Sequence, residues 1–144
     1  MRRLATILLL MTFASGCQTM DDVEAINSGP PVVSGAAAGV IAGDMASRLA
    51  EAVPTRSAPS LRMRKDDTEF ATALEAALKG WGYKLVTDDS TPSPKPVELS
   101  YSLYSFEGQV LARLTTPTTA LGRTYNVAAD GASPSSPLSI MQPD

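Results

Sequence analysis

Cys17 is the one cysteine of a 144-residue chain that has no histidine, and these two facts decide most of the chemistry on offer. A thiolate is a nucleophile, but a catalytic cysteine needs a base beside it, most often a histidine. Neither a Ser-His-Asp nor a Cys-His arrangement can be assembled, and zinc would have to be held by oxygens alone. The acidic pairs Asp21-Asp22, Asp66-Asp67 and Asp88-Asp89 lack the alternating spacing and closing glutamate of a calcium loop; capping, turns and solubility account for them. The glycines form no phosphate-binding loop. Trp81, Tyr83, Tyr101 and Tyr104 could stack on a sugar, although Trp81 and Tyr101 are better used in filling a core. The residues therefore predict no catalytic group, no metal site, no cofactor and no small-molecule substrate, and a chain that is not an enzyme.

What surrounds Cys17 is more telling. Arg2 and Arg3 precede an uncharged run from Leu4 to Phe13, then Ala14-Ser15-Gly16-Cys17. The run is too short to span a bilayer, which takes about 20 residues, but it has the length of a secretory h-region. Small residues abutting a cysteine resemble the lipobox of bacterial lipoproteins, with Ala14 standing where that family usually carries leucine. The resemblance implies a signal peptide over residues 1–16, lipid attachment at Cys17 and cleavage before it. Gln18 follows in place of the aspartate that resembles an inner-membrane retention signal, so it further implies sorting to the periplasmic face of the outer membrane. Each buried methylene contributes roughly 0.8 kcal/mol, and several long chains hold a protein at a membrane almost irreversibly.

Composition narrows the partners. The chain carries 12 Lys and Arg against 15 Asp and Glu. Loss of Arg2 and Arg3 with the leader leaves 10 against 15, a net charge of −5, with no basic block of the kind a phosphate backbone attracts. Direct nucleic-acid binding is not expected. Hydrophobic residues make up 44% of the chain but aromatics only 6%, which predicts a small, alanine-rich core.

The elements follow from periodicity. Residues 17–35, polar and then rich in Pro and Gly, predict a disordered N-terminal tether. About 17 such residues reach roughly 55 Å fully extended. Ile41, Met45, Leu49 and Val53 recur every four residues, as on one side of a helix, and Pro54 ends it. Gly35, Gly39 and Gly43 repeat at the same spacing; a frayed start to this amphipathic helix, with Asp44 as its cap, is preferred to a glycine zipper. Ser60 to Arg64 alternates as a strand does. Asp66 with Glu69 makes a capping-box variant opening a helix from Asp67 to Lys79, with Phe70, Ala73, Leu74, Ala77, Leu78 and then Trp81 facing the core, and Gly80 and Gly82 closing it. Tyr83 to Thr87 predicts a strand. Beyond a Pro/Ser loop, Val97, Leu99, Tyr101 and Leu103 alternate with polar residues. Glu107-Gly108 makes a turn, and strands at Gln109–Thr115 and Leu121–Val127 complete an antiparallel three-stranded meander. The expected fold is α+β: a small two-layer sandwich over residues 36–128, helix-strand-helix-strand and then the meander. A mobile C-terminal tail over 129–144 is preferred to a docking peptide at Ser136–Met141.

Together with the leader, Gly43-Asp-Met-Ala-Ser-Arg-Leu-Ala50, Phe70-Ala-Thr-Ala-Leu-Glu-Ala-Ala-Leu-Lys-Gly-Trp-Gly-Tyr83 and Ser136-Pro-Leu-Ser139 resemble TrbH, a family of small lipoproteins of conjugal transfer operons. The resemblance covers most of the mature chain, and its most distinctive piece is Glu75 to Tyr83. It implies a structural component of a mating-pair-formation apparatus, a type IV secretion system, anchored in the outer membrane by lipid on Cys17 and contacting protein subunits of the channel core. The alternative is a surface-exclusion or peptidoglycan-binding envelope lipoprotein, which would act in a recipient expressing it alone.

Overall fold

A computed structural model describes Val33 and residues 35–142. The expected signal peptide, Cys17 and most of the expected tether lie outside the described residues. Among the described residues two helices, α1 (Gly35–Ala52) and α2 (Glu69–Gly80), accompany seven strands: β1 (Ser60–Met63), β2 (Lys84–Val86), β3 (Val97–Phe106), β4 (Gln109–Thr115), β5 (Ala120–Ala128), β6 (Gly131–Pro134) and β7 (Ser139–Met141). The strands form one sheet in the order β2-β1-β3-β4-β5-β6, with β7 also paired to β5. β1 runs parallel to β2 and β3, and β3, β4 and β5 form the antiparallel meander. The expected α+β class and element order are observed.

α1 packs on α2 and across β4, β5 and β6. Ile41, Met45 and Leu49 are wholly buried, and so are Ala42 and Ala46 between them. Alanines on the buried side let the helix settle close to the sheet, so the core is shallow but well filled. Gly35 and Gly39 point to solvent and Gly43 is half-buried; a Cβ on any of the three would meet nothing within 4 Å. The glycine repeat thus belongs to the outer side of α1. The folded body also takes in part of the segment expected to be tether, since Val33 is only 6% exposed.

α2 contributes Phe70, Leu74 and Leu78 to the core. Its N-cap is Thr68, whose Oγ1 accepts from the Ala71 N–H at 3.1 Å, while Asp66 Oδ1 accepts from the Thr68 N–H at 3.0 Å. The expected box therefore does not form. Glu69 instead accepts the Gly35 N–H at 2.8 Å and ties the start of α2 to the start of α1. Trp81, expected in the core, is 51% exposed. It occupies the C-cap, its N–H already bonded to the Ala77 and Leu78 carbonyls, and the chain turns at Gly82 (φ +96°) before the helical stripe can reach it. The aromatic buried at this turn is Tyr83, whose hydroxyl donates to the Val53 carbonyl and fastens the end of α1.

β3 and β4 are joined at Glu107 (φ +47°) and Gly108 (φ +77°), with Phe106 facing Gln109. Two consecutive residues at positive φ suit the twist of a two-residue hairpin. Val110, Ala112, Leu114, Leu121 and Tyr125 point from β4 and β5 into the core.

The segment expected as a mobile tail is the main correction. β6 pairs with Tyr125–Ala128 and β7 with Ala120–Gly122, so together they cover the far edge of β5. An uncovered edge is a liability, and backbone hydrogen bonds cover it without the apolar alternation that marks a strand in sequence. Gly131, Ala132, Ser133 and Pro134 bring little side-chain burial to the pairing.

Candidate functional site

Cys17, the one predicted site residue, lies outside the described residues. Within them the polar groups concentrate in three places.

The first joins α1 to β5. Asp44 sits in the middle of α1 and does not cap it. Its Oδ2 accepts from Arg123 Nη1 at 3.0 Å and from the Tyr125 hydroxyl at 2.7 Å, and its Oδ1 lies 3.6 Å from Arg48 Nε. Arg123 Nε reaches on to the Ser136 carbonyl at 3.1 Å. Burial, and then the bond to Asp44, push the Tyr125 phenol well above the ordinary tyrosine range. This network closes one layer on the other. Asp44, Arg123 and Tyr125 satisfy one another, whereas Arg48 Nε is buried and has only the 3.6 Å ion pair to Asp44, with no hydrogen-bond partner among the described residues.

The second is a cleft of about 350 Å³ beside the N-terminus of α2, lined by Val33, Phe70, Tyr101, Leu103 and Tyr104 with Arg64 and Asp66 at its mouth. The Tyr101 hydroxyl donates to Asp66 Oδ2, and its ring packs on Phe70 with centroids 5.3 Å apart. The bond from Tyr101, followed by that from the Thr68 N–H, holds the Asp66 carboxyl below the usual range. Burial raises the Tyr101 phenol, with Asp66 adding to it. Acid and phenol are thus driven apart, away from the near-neutral value that general acid–base work requires. The pair is a fixed hydrogen bond within an apolar cleft.

The third lies on the sheet face that carries no helix. Residues of β3, β4, β5 and β7 that point away from the helices line up in cross-strand rows, among them Ser102, Arg113, Gly122 and Ser139. A groove of about 390 Å³ runs over β5, lined by Leu111, Arg113, Thr124, Ser139 and Met141, with Gly122 as its floor. Tyr104 and Phe106 stand on the same face and are 54% and 50% exposed. Sequence periodicity places Arg113 and Thr124 on the polar side of their strands, but it cannot reveal that they share a groove with β7.

Among the described residues no three Cys, Asp or Glu gather to hold a metal ion, and no helix is long and apolar enough to cross a membrane. What these surfaces offer is a two-layer body with one face on which no helix of the described residues packs.

The sequence profile of the family described as conjugal transfer protein TrbH matches residues 19–144. A relative in Sinorhizobium fredii (strain NBRC 101917 / NGR234), described as a probable conjugal transfer protein TrbH, is 51% identical over 146 residues, covering 99% of each chain. No solved structure matches the chain.

Proposed function

The chain belongs to the TrbH family of conjugal transfer proteins, and from that premise we propose that it is a structural, non-catalytic subunit of the transfer apparatus, anchored by lipid on Cys17 at the periplasmic face of the outer membrane. Its family gives it a role in conjugal transfer. The observation that carries the finer reading is the family match from residue 19, just behind Cys17 and its leader-like flank. The buried position of Val33 supports it as well. Roughly 16 residues separate it from the cysteine, a span of about 50 Å if extended. On such a connection the body can stand off the membrane and meet protein subunits of the channel core. Replacing Cys17 by Ser tests the reading: uncleaved precursor should accumulate and plasmid transfer from the donor should fall. Normal transfer by that variant overturns anchoring as the function.

Exposed Tyr104 and Phe106, two residues apart on one strand face, favour a second reading in which the domain binds envelope glycan and acts in surface exclusion. Aromatic faces of this kind stack on sugars. The recipient separates the two: expression of the protein alone should protect a recipient under the second reading and leave it unprotected under the first.

A further inference from the structure

Arg113 has no carboxylate within 4.0 Å among the described residues. Among the described residues Arg48, Arg62, Lys79 and Arg123 each lie within 4.0 Å of a carboxylate. Of those that do not, Arg56, Arg64, Lys65, Lys84 and Lys95 are exposed to water, and Arg113 alone is half-buried. It stands in the groove on the helix-free face, across the strands from Gly122 and Ser139. A Cβ on Gly122 would lie 3.8 Å from Arg113 Cγ, so the arginine stem lies beside this bare stretch of β5.

We propose that this groove is the docking site for an extended, acidic segment of a partner protein of the transfer apparatus, with a carboxylate of that segment paired to Arg113. The proposal deepens the function given above and rests on it. A half-buried arginine with no carboxylate partner among the described residues is open to a planar carboxylate, which answers a guanidinium with two parallel hydrogen bonds. The surroundings fit the rest of such a segment. Thr124 and Ser139 offer hydroxyls, Leu111 and Met141 offer apolar walls, and the missing side chain at Gly122 admits a backbone. Charge complementarity selects the occupant. The groove is lined by two cations, Arg113 and Arg123, and by no carboxylate among the described residues; Arg123 is already paired with Asp44, so Arg113 is the one on offer, on a chain whose net charge is −3. Its other face is already closed by α1 and α2.

Photocross-linking in plasmid-bearing donor cells tests this with the full-length protein. A benzophenone amino acid placed at position 139 should capture a protein of the apparatus, and mass spectrometry should locate the adduct beside an Asp or Glu in an extended stretch. Arg113→Glu should reduce the adduct at least about ten-fold, the scale expected when one partner of a charge pair is reversed. Thr124→Glu, which supplies the groove with its own carboxylate, should do the same with Arg113 in place, and Arg113→Lys should retain part of the signal. Exchanging the captured acid for Lys should restore the Arg113→Glu adduct. Equal protein levels by immunoblot separate loss of docking from loss of fold. No adduct, an adduct to lipid, to a second copy of this chain or to a segment without an acid, or an adduct indifferent to Arg113→Glu overturns the proposal. The Cys17→Ser strain reads the anchoring function independently, because an Arg113-dependent adduct can persist where transfer does not depend on the lipid.

Discussion

Asp44 on α1 and Arg123 on β5 form an ion pair at 3.0 Å although 79 residues separate them in sequence. The same carboxylate oxygen takes the hydroxyl of Tyr125, and Arg123 continues to the Ser136 carbonyl. One side chain therefore fastens the helical layer to the sheet and, through Arg123, to the segment that leads into β7. The shallow alanine-rich contact between α1 and the sheet makes this link more valuable than it would be over a deep core.

Asp44→Ala should destabilise the protein by about 2–3 kcal/mol, because it leaves Arg123 and Tyr125 without their acceptor in a half-buried setting. Side-chain exposures of 22% for Asp44 and 18% for Arg123 keep the expectation below that for a fully buried pair. Urea denaturation of the purified protein checks it. A double variant, Asp44→Leu with Arg123→Met, should recover much of the loss, since apolar groups of similar size leave no orphaned charge. A single variant as stable as the parent would show that the link is ornamental.

Tyr125, Tyr101 and Tyr83 all have phenols raised above the ordinary value of 10.0, with burial as the first cause. A group whose folded pKa is raised contributes stability that is complete below its unfolded pKa and is lost as pH rises through the folded one. Stability should therefore hold to about pH 10 and then fall, with each such tyrosine adding up to about 1.4 kcal/mol per pH unit to the slope. Tyr125→Phe should flatten the slope by about one such increment in denaturation curves between pH 10 and 12, even though it lowers stability at pH 7. An unchanged slope contradicts the burial of that hydroxyl.

The acid side has the opposite sign. Asp66 is depressed below 3.8 by the Tyr101 hydroxyl and the Thr68 N–H, so its contribution is present above the unfolded value and is lost as pH falls from about 4 through the folded pKa. Asp66→Asn and Tyr101→Phe should each weaken the dependence of stability on pH in that window, and in combination they should do little more than either alone. Additive effects would separate the two residues. The measurement is urea denaturation at intervals from pH 5 to pH 2.

Local periodicity made much of this fold legible. The stripe Phe70, Leu74, Leu78 and the alternation Val110, Ala112, Leu114 point where the sequence says they should. What escaped depends on groups distant along the chain or on backbone alone. Asp44 looks like a cap because an acid follows glycines ahead of an apolar stripe, and nothing nearby announces Arg123 or Tyr125. Trp81 continues the stripe of α2, but the helix ends first. β6 and β7 are built largely of small and polar residues, so their strand character arises from β5 and not from their own pattern. Arg113 is an ordinary polar residue of an alternating strand until the fold shows it half-buried with no carboxylate of the described residues within 4.0 Å.

The glycine repeat of α1 yields the sharpest pair of substitutions. Gly39 lies in the helix interior, exposed, with open space around its missing Cβ. Gly39→Ala should therefore stabilise the protein by about 0.5–1 kcal/mol, chiefly by restricting the unfolded chain. Gly35 stands one helical turn earlier at φ +58°, where a side chain is strained, so Gly35→Ala should destabilise. The same change thus has opposite signs at two positions that the sequence presents as equivalent. Thermal denaturation of the two variants decides it, and destabilisation by both would mean that the outer side of α1 is not open. Transfer frequency adds a second reading. A Gly39→Ala protein that is more stable yet transfers plasmid poorly would mark this side of α1 as a surface where another helix approaches closely, because small residues are what such an approach requires.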